Sequence, residues 1–295
     1  MLLSDVINQF IAERKAARYS PHTINDYNVT FKKLLQYISD VEMSSVEKKV
    51  IIEFIASQTE ISAKTLRNYH ANLSALWRWA VQQGYCNENI ILQIQPPTAD
   101  KKAIVPLSRE EIQAIVLSAL HSDNHLRDSA IILLLVDTGI RASELCGLKI
   151  KDLNQTTRHI IVFGKGRKER QIPISQTTFS SILLYIHSRG KVKPNDPLFL
   201  SNTKKKMNKD QLRYIICKLG EDGGVTKVYP HLFRHTFAIQ FLRNGGTIYT
   251  LQQILGHTTL DMVKRYLAIA QVDLDRDHLL ASPVTRWNLQ ATAIN

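Results

Sequence analysis

A chain of 295 residues, 44% hydrophobic and 22% charged, is long enough for two globular domains of ordinary size. Its longest apolar run, Ala130–Val136, is far too short for a membrane span, and the opening residues carry an aspartate and no basic segment, so neither a membrane protein nor a signal peptide is expected. The three cysteines (Cys86, Cys146, Cys217) form no CxxC or Cys/His cluster, which argues for a reducing cytoplasmic setting without disulfides or zinc.

The first 94 residues read as helices alone. An amphipathic stretch covers Ser4–Arg18. A second helix starts at Ser20-Pro21, where Ser caps and Pro fits the first turn, and runs to about Ser39. A third covers roughly Val46–Ser57. A fourth begins at Ser62, places Leu66, Tyr69, Leu73, Leu76, Trp77 and Ala80 at helical spacing, and stops at Gly84. Residues 95–106, QPPTADKKAIVP, cannot continue a helix and form a linker.

The second domain, 107–295, opens on a capping box, Ser108 with Glu111, followed by an apolar helix to about Val136. DTGIRASELCGL breaks at Gly139 and restarts as a short helix. Residues 159–174, HIIVFGKGRKERQIPI, read as a β-hairpin with a basic, Gly-rich turn. The remainder is helical at about 176–189, 208–220, 231–244, 248–255 and 259–268, with a tail from about 270. The fold class is therefore mainly α with a small β-sheet in the second domain.

Charge is divided unevenly. Residues 1–95 hold 10 Lys+Arg against 9 Asp+Glu, a net +1, and residues 96–295 hold the remaining 28 against 17, a net +11. A domain this basic points to a polyanion, most often nucleic acid. Candidate contacts are the exposed basic residues of the helical domain (Lys64, Arg67, Arg78), the linker pair Lys101 and Lys102, and Arg167, Lys168 and Arg170 of the hairpin.

Four stretches carry side chains suited to chemistry. Arg141 in TGIRASEL has Glu144 three residues on. Lys165 lies in GKGRKER. HLFRHTFA sets His231 and Arg234 on one face of a helix start. LGHTTLDMVKRYL holds His257 and, nine residues later, Tyr266. Each alone has an ordinary structural explanation: an ion pair, a solvated turn, a helix cap, a packed ring. Together, two arginines, two histidines, a lysine and a tyrosine are what phosphoryl transfer needs when no metal supplies the electrostatics. Guanidiniums neutralise phosphoryl oxygens in bidentate geometry, imidazoles move protons, and cations favour attack by a phenol. No carboxylate cluster suited to Mg²⁺ is present, and no cofactor is expected.

In this order and context, TGIRASE, GKGRKER, HLFRH and LGHTTLDMVKRY, the set resembles the tyrosine recombinases, the lambda-integrase or Xer-like site-specific DNA recombinases, across nearly the whole chain. The resemblance implies a helical core-binding, SAM-like domain and a catalytic domain that close on duplex DNA as a C-shaped clamp. It implies that Arg141 and Arg234 hold the scissile phosphate, that His231 acts as acid or base near the tyrosine proton, and that His257 hydrogen-bonds a non-bridging oxygen. Lys165, with Lys168 as the alternative, would protonate the departing 5′-hydroxyl. Tyr266 would attack to leave a 3′-phosphotyrosyl link, without metal or ATP. Glu144 is expected to orient an active-site cation, and His235 to point to another face. The implied partner is double-stranded DNA with inverted-repeat core sites, bound by a tetramer, with an accessory protein or second recombinase left open.

The first helix begins almost at residue 1, leaving no room for an arm-binding domain, and the Arg141–His231 interval is compact. Both favour a Xer-like or a transposon-, plasmid- or phage-borne enzyme. The 29 residues after Tyr266 lean toward a mobile element, and the tail is expected to dock on a neighbouring protomer. The alternative from another class is a type IB topoisomerase-like enzyme that relaxes DNA. A non-catalytic DNA-binding protein is disfavoured by the intact residue set.

Overall fold

The structure, a computed structural model, describes residues 1–98, 104–164, 169–256, 259–260, 263–264, 266–267, 278 and 280–289. The chain divides into two compact units, Met1–Ala103 and Ile104–Asn295.

Among the described residues the first unit has four α-helices: α1 (Leu3–Ala16), α2 (Pro21–Ile38), α3 (Lys48–Ser57) and α4 (Ala63–Gln82). Ser20 and Ser62 accept from the backbone N–H groups of Thr23 and Thr65, so each satisfies a donor that the first helical turn leaves orphaned. α1 packs on α2 and α4, and α2 also packs on α3. Their shared core is aromatic. Phe10 meets Tyr27, Phe31 and Trp79 edge-on at 5.1–5.8 Å between centroids, and Trp77 is fully enclosed. The Trp79 indole N–H reaches Glu13 at 2.6 Å, which keeps a buried donor satisfied.

The second unit is built around one helix. α5 (Arg109–Leu120) carries the capping box, with Glu111 returning to the Ser108 N–H. The single apolar helix expected to run to Val136 is in fact two, because α5 ends at Leu120 and α6 (His125–Thr138) begins after a polar turn. Ser122 in that turn bonds the Ala119 carbonyl and the Asp128 carboxylate, so its side chain competes with helix continuation. α6 is apolar on every side: Ala130, Ile131, Ile132, Leu134 and Leu135 are all fully buried. Such a helix must lie at the centre, and α6 packs against α5, α8 (Gln176–Ser188) and α10 (Pro230–Arg243).

The hairpin forms from β2 (His159–Phe163) and β3 (Glu169–Pro173), antiparallel with Ile160 opposite Ile172. Leu153–Asn154 adds a short edge strand, β1, which pairs with β2. Two residues are too few for an alternating pattern to announce them. α7 (Ala142–Leu145), α9 (Lys209–Asp222) and α11 (Ile248–Leu255) complete the labelled helices, and Val263, Lys264, Tyr266 and Leu267 are helical as well.

Candidate active site

α6 ends at Gly139, whose φ of 57° is left-handed and whose missing Cβ would lie 2.6 Å from Phe237. Only glycine meets both demands. The turn delivers Arg141 to the start of α7. There its backbone N–H donates to Glu144 Oε2 at 2.9 Å, and its guanidinium donates to Glu144 Oε1 at 2.9 Å. The Arg141 side chain keeps 33% exposure, while that of Glu144 keeps 3%.

Arg170, on β3, closes on the same carboxylate from the other side. It donates to both Glu144 oxygens, at 2.8 and 2.9 Å, and to the Ile254 carbonyl at 2.7 Å. Its expected place was on DNA. The geometry instead sets all three of its guanidinium nitrogens against the protein, because a buried carboxylate needs a bidentate cation. Burial alone would raise the Glu144 carboxyl pKa. The hydrogen bonds from Arg170 and the Arg141 backbone, with the charges of both arginines, outweigh it and hold the group below the ordinary glutamate range.

Arg234 lies on α10 and is 1% exposed. It donates to the carbonyls of Gly139 at 2.9 Å and Leu255 at 2.8 Å. Burial first, then the nearby Arg141 charge, lowers its pKa to about 10, while Glu144 and Tyr266 act in the opposite direction. The group therefore stays protonated at neutral pH. Arg141 also reaches the Gly256 carbonyl, at 3.4 Å. Three arginines from three elements thus meet consecutive carbonyls, Ile254, Leu255 and Gly256, at the C-terminus of α11, where a helix leaves acceptors unsatisfied and its dipole is negative. Two of these guanidiniums contact the Glu144 carboxylate and the third, that of Arg234, feels its charge, so three arginines and one carboxylate carry a net +2, from +3 and −1.

Tyr266 is 5% exposed and packs with Ala238, Ile239, Leu242, Leu251, Leu255 and Val263. Its hydroxyl lies 2.9 Å from His235 Nδ1. This corrects the expectation that His235 points elsewhere. On a helix, residues i and i+4 share a face, so His235 belongs with His231, and the two rings lie 4.4 Å apart. That spacing was the signal in the sequence, and His235 is the functional candidate the motif reading passed over. His231 itself is exposed.

The structure therefore brings Arg141, Glu144, Arg234, His231 and Tyr266 into one cluster, and adds Arg170 and His235. Lys165, Arg167, Lys168, His257, Lys101 and Lys102 lie outside the described residues. Lys64, Arg67 and Arg78 are exposed on α4 of the first unit. Among the described residues no three His, Cys, Asp or Glu side chains converge as metal ligands would.

Residues 106–272 match the phage integrase family, and residues 2–95 match the phage integrase SAM-like domain. The chain belongs to the phage integrase family. As a tyrosine recombinase it is a site-specific recombinase, and relatives agree. It is 28% identical over 265 residues to tyrosine recombinase XerC of Pelobacter propionicus, covering 87% of both chains. It is 27% identical to tyrosine recombinase XerD of Staphylococcus epidermidis, covering 85% of this chain and 89% of the relative. Its fold is that of the Tn1549 transposon integrase in complex with transposon right end DNA (TM-score 0.80, 22% identity, 95% and 99% coverage). It is likewise that of XerH site-specific recombinase bound to a palindromic difH substrate (TM-score 0.73, 23% identity, 94% and 83% coverage).

Proposed function

We propose that this recombinase cleaves and rejoins double-stranded DNA at paired inverted-repeat core sites, with Tyr266 as the nucleophile. The observation that carries this reading is the Tyr266 hydroxyl bonded to an imidazole and electrostatically coupled to a buried, protonated Arg234. A phenol is a weak nucleophile at neutral pH. A proton acceptor on its oxygen and fixed positive charge beside it both favour attack.

In the proposed reaction the tyrosine oxygen bonds to phosphorus and the 5′ oxygen leaves. Arg141, at the surface of the cluster, and Arg234, enclosed within it, neutralise the charge that develops on the phosphoryl oxygens. Glu144 orients Arg141 and is in turn clamped by Arg170. His257 is assigned a non-bridging oxygen and Lys165 the departing 5′ oxygen, both from their place in the family motifs. Because the 3′-phosphotyrosyl link conserves the phosphodiester energy, a 5′-hydroxyl of another strand can reverse the step without ATP.

The helical first unit is proposed to bind the core site as well. On α4, Lys64, Arg67 and Arg78 fall within about 60° of one another at 100° per residue, which supports a single basic stripe. Four exposed apolar residues near the C-terminus, Leu280, Val284, Trp287 and Leu289, support docking of the tail on a neighbouring protomer within a tetramer. A cytoplasmic, Xer-like or mobile-element setting fits the same reading.

The test is Tyr266→Phe on a nicked half-site. The variant is expected to bind DNA like the wild type and to form no covalent adduct on a denaturing gel. A surviving adduct overturns the assignment. Strand exchange between paired sites by the wild type separates recombination from relaxation alone.

A further inference from the structure

Tyr266 is 5% exposed, so a proton leaving its hydroxyl needs an acceptor within the fold. Beside His231, the histidine of the motif, stands His235, whose Nδ1 lies 2.9 Å from the phenolic oxygen. The neutral imidazole that carries its hydrogen on Nε2 presents a lone pair at Nδ1 and accepts that hydrogen bond. We propose that His235 is the catalytic base that takes the Tyr266 proton during cleavage and returns it during rejoining, with His231 passing that proton to and from solvent.

Burial falls along this route. Tyr266 is buried, His235 half-buried and His231 exposed, and the two imidazole rings are 4.4 Å apart, tilted by 59°. His231, Arg234 and His235 stand on one helix, α10, so the base and the phosphate-facing arginine move as one body. Arg234 is coupled electrostatically to Tyr266, so its fixed positive charge favours the phenolate as the proton leaves.

The balance is complete. The Tyr266 O–H bond breaks as Nδ1–H forms on His235, the tyrosine oxygen bonds to phosphorus, and the bond from phosphorus to the 5′ oxygen breaks. The leaving oxygen takes its proton from the opposite side, assigned to Lys165. In rejoining, each proton retraces its path. The inference rests on the assignment of Tyr266 as the nucleophile.

The experiment measures single-turnover adduct formation on the nicked half-site from pH 6 to 9, alongside half-site binding. Its variants are His235→Ala, His235→Asn and Tyr266→Phe. Asparagine is informative because its Oδ1 can occupy the Nδ1 position and accept the hydrogen bond, yet cannot take the proton. Both His235 variants are expected to lose about a hundredfold in rate, the scale of one general base, with binding unchanged and a rate that rises with pH as hydroxide replaces the base. A substrate with sulfur in place of the bridging 5′ oxygen, whose thiolate leaves without protonation, is expected not to restore them.

Four outcomes overturn the proposal. They are a wild-type rate in His235→Asn, which would leave only a positioning contact; a wild-type rate in His235→Ala; restoration by the sulfur substrate, which would place His235 on the leaving-group side; and loss of half-site binding in both variants. An adduct in Tyr266→Phe removes the nucleophile assignment itself. No adduct there, with normal His235 variants, removes this inference alone.

Discussion

The two units bury different chemistry. Among the described residues, the first buries apolar and aromatic side chains and, of polar ones, only Thr30 and Ser74. The second encloses Arg127, Asp128, Glu144, Asp152 and Arg234. The difference fits the division of labour proposed for the two units. A domain that grips DNA keeps its cations outside, where they meet phosphates at little desolvation cost. A domain that stabilises a transition state must hold charge fixed and partly dry before the substrate arrives, and it offsets the desolvation with hydrogen bonds. The Arg127–Asp128 pair, at 2.7 Å and tied to Leu200 and Asn202, shows that not every buried ion pair in the second unit serves the site.

The comparison is tested most severely by core truncation. Trp77→Ala, in the aromatic core of the first unit, is expected to cost about 3–5 kcal/mol, the range for removing a large buried ring. Thermal unfolding should show it. If the units divide labour as proposed, half-site binding fails as well.

The second test contrasts two arginines of one cluster. Arg234→Lys loses the fork that serves the Gly139 and Leu255 carbonyls, and the expected drop in adduct formation is about 10²–10³-fold. Arg141→Lys should lower the rate by a similar factor with a smaller fall in melting temperature, because its side chain is one-third exposed. Equal melting temperatures in the two variants would break the distinction between a buried and an open guanidinium.

Legibility in the sequence followed the same division. Helix starts were readable where a side chain does a local job: Ser20, Ser62 and Ser108 each cap the helix expected of them. The α5–α6 break was hidden because the flanking apolar residues keep helical spacing across a turn held by the Ser122 side chain. At the site, Arg141 and Arg234 stood out through motif context. Arg170 read as one more hairpin cation, since nothing local announces that Glu144, 26 residues earlier, will face it. His235 was accessible by helical arithmetic from His231. Read as the neighbour of Arg234 it belongs on another face, whereas four residues after His231 it shares that residue's face.

Glu144→Gln probes the charge balance through pH. The native Glu144 pKa lies below its ordinary value, so its ionised form stabilises the fold. That contribution is fully present above the unfolded value, near 4.3, and is lost as pH falls through the native one. Glutamine leaves donors of Arg170 without an anionic partner, an expected cost of about 2 kcal/mol at pH 7. The gap in melting temperature between wild type and variant should narrow below about pH 4, as the wild-type carboxylate becomes protonated. A gap that stays constant to pH 3 would mean that Glu144 acts by shape and not by charge.

The smallest effect concerns the outer face of the first unit. Lys64, Arg67 and Arg78 are exposed, and none of them takes part in the salt bridges among the described residues. Replacing one such residue by Gln should change stability by no more than about 0.5 kcal/mol. If each meets one phosphate, each replacement weakens half-site binding by a similar factor on any sequence, and reduces the slope of log affinity against log salt by about 1. The triple variant should then lose about three such contacts while its covalent chemistry, measured at saturating DNA, is unchanged. An unaltered salt slope would move the DNA face of this unit away from α4. A slope that falls while the single-turnover cleavage rate holds would show that the two units contribute separable terms, gripping in one and chemistry in the other.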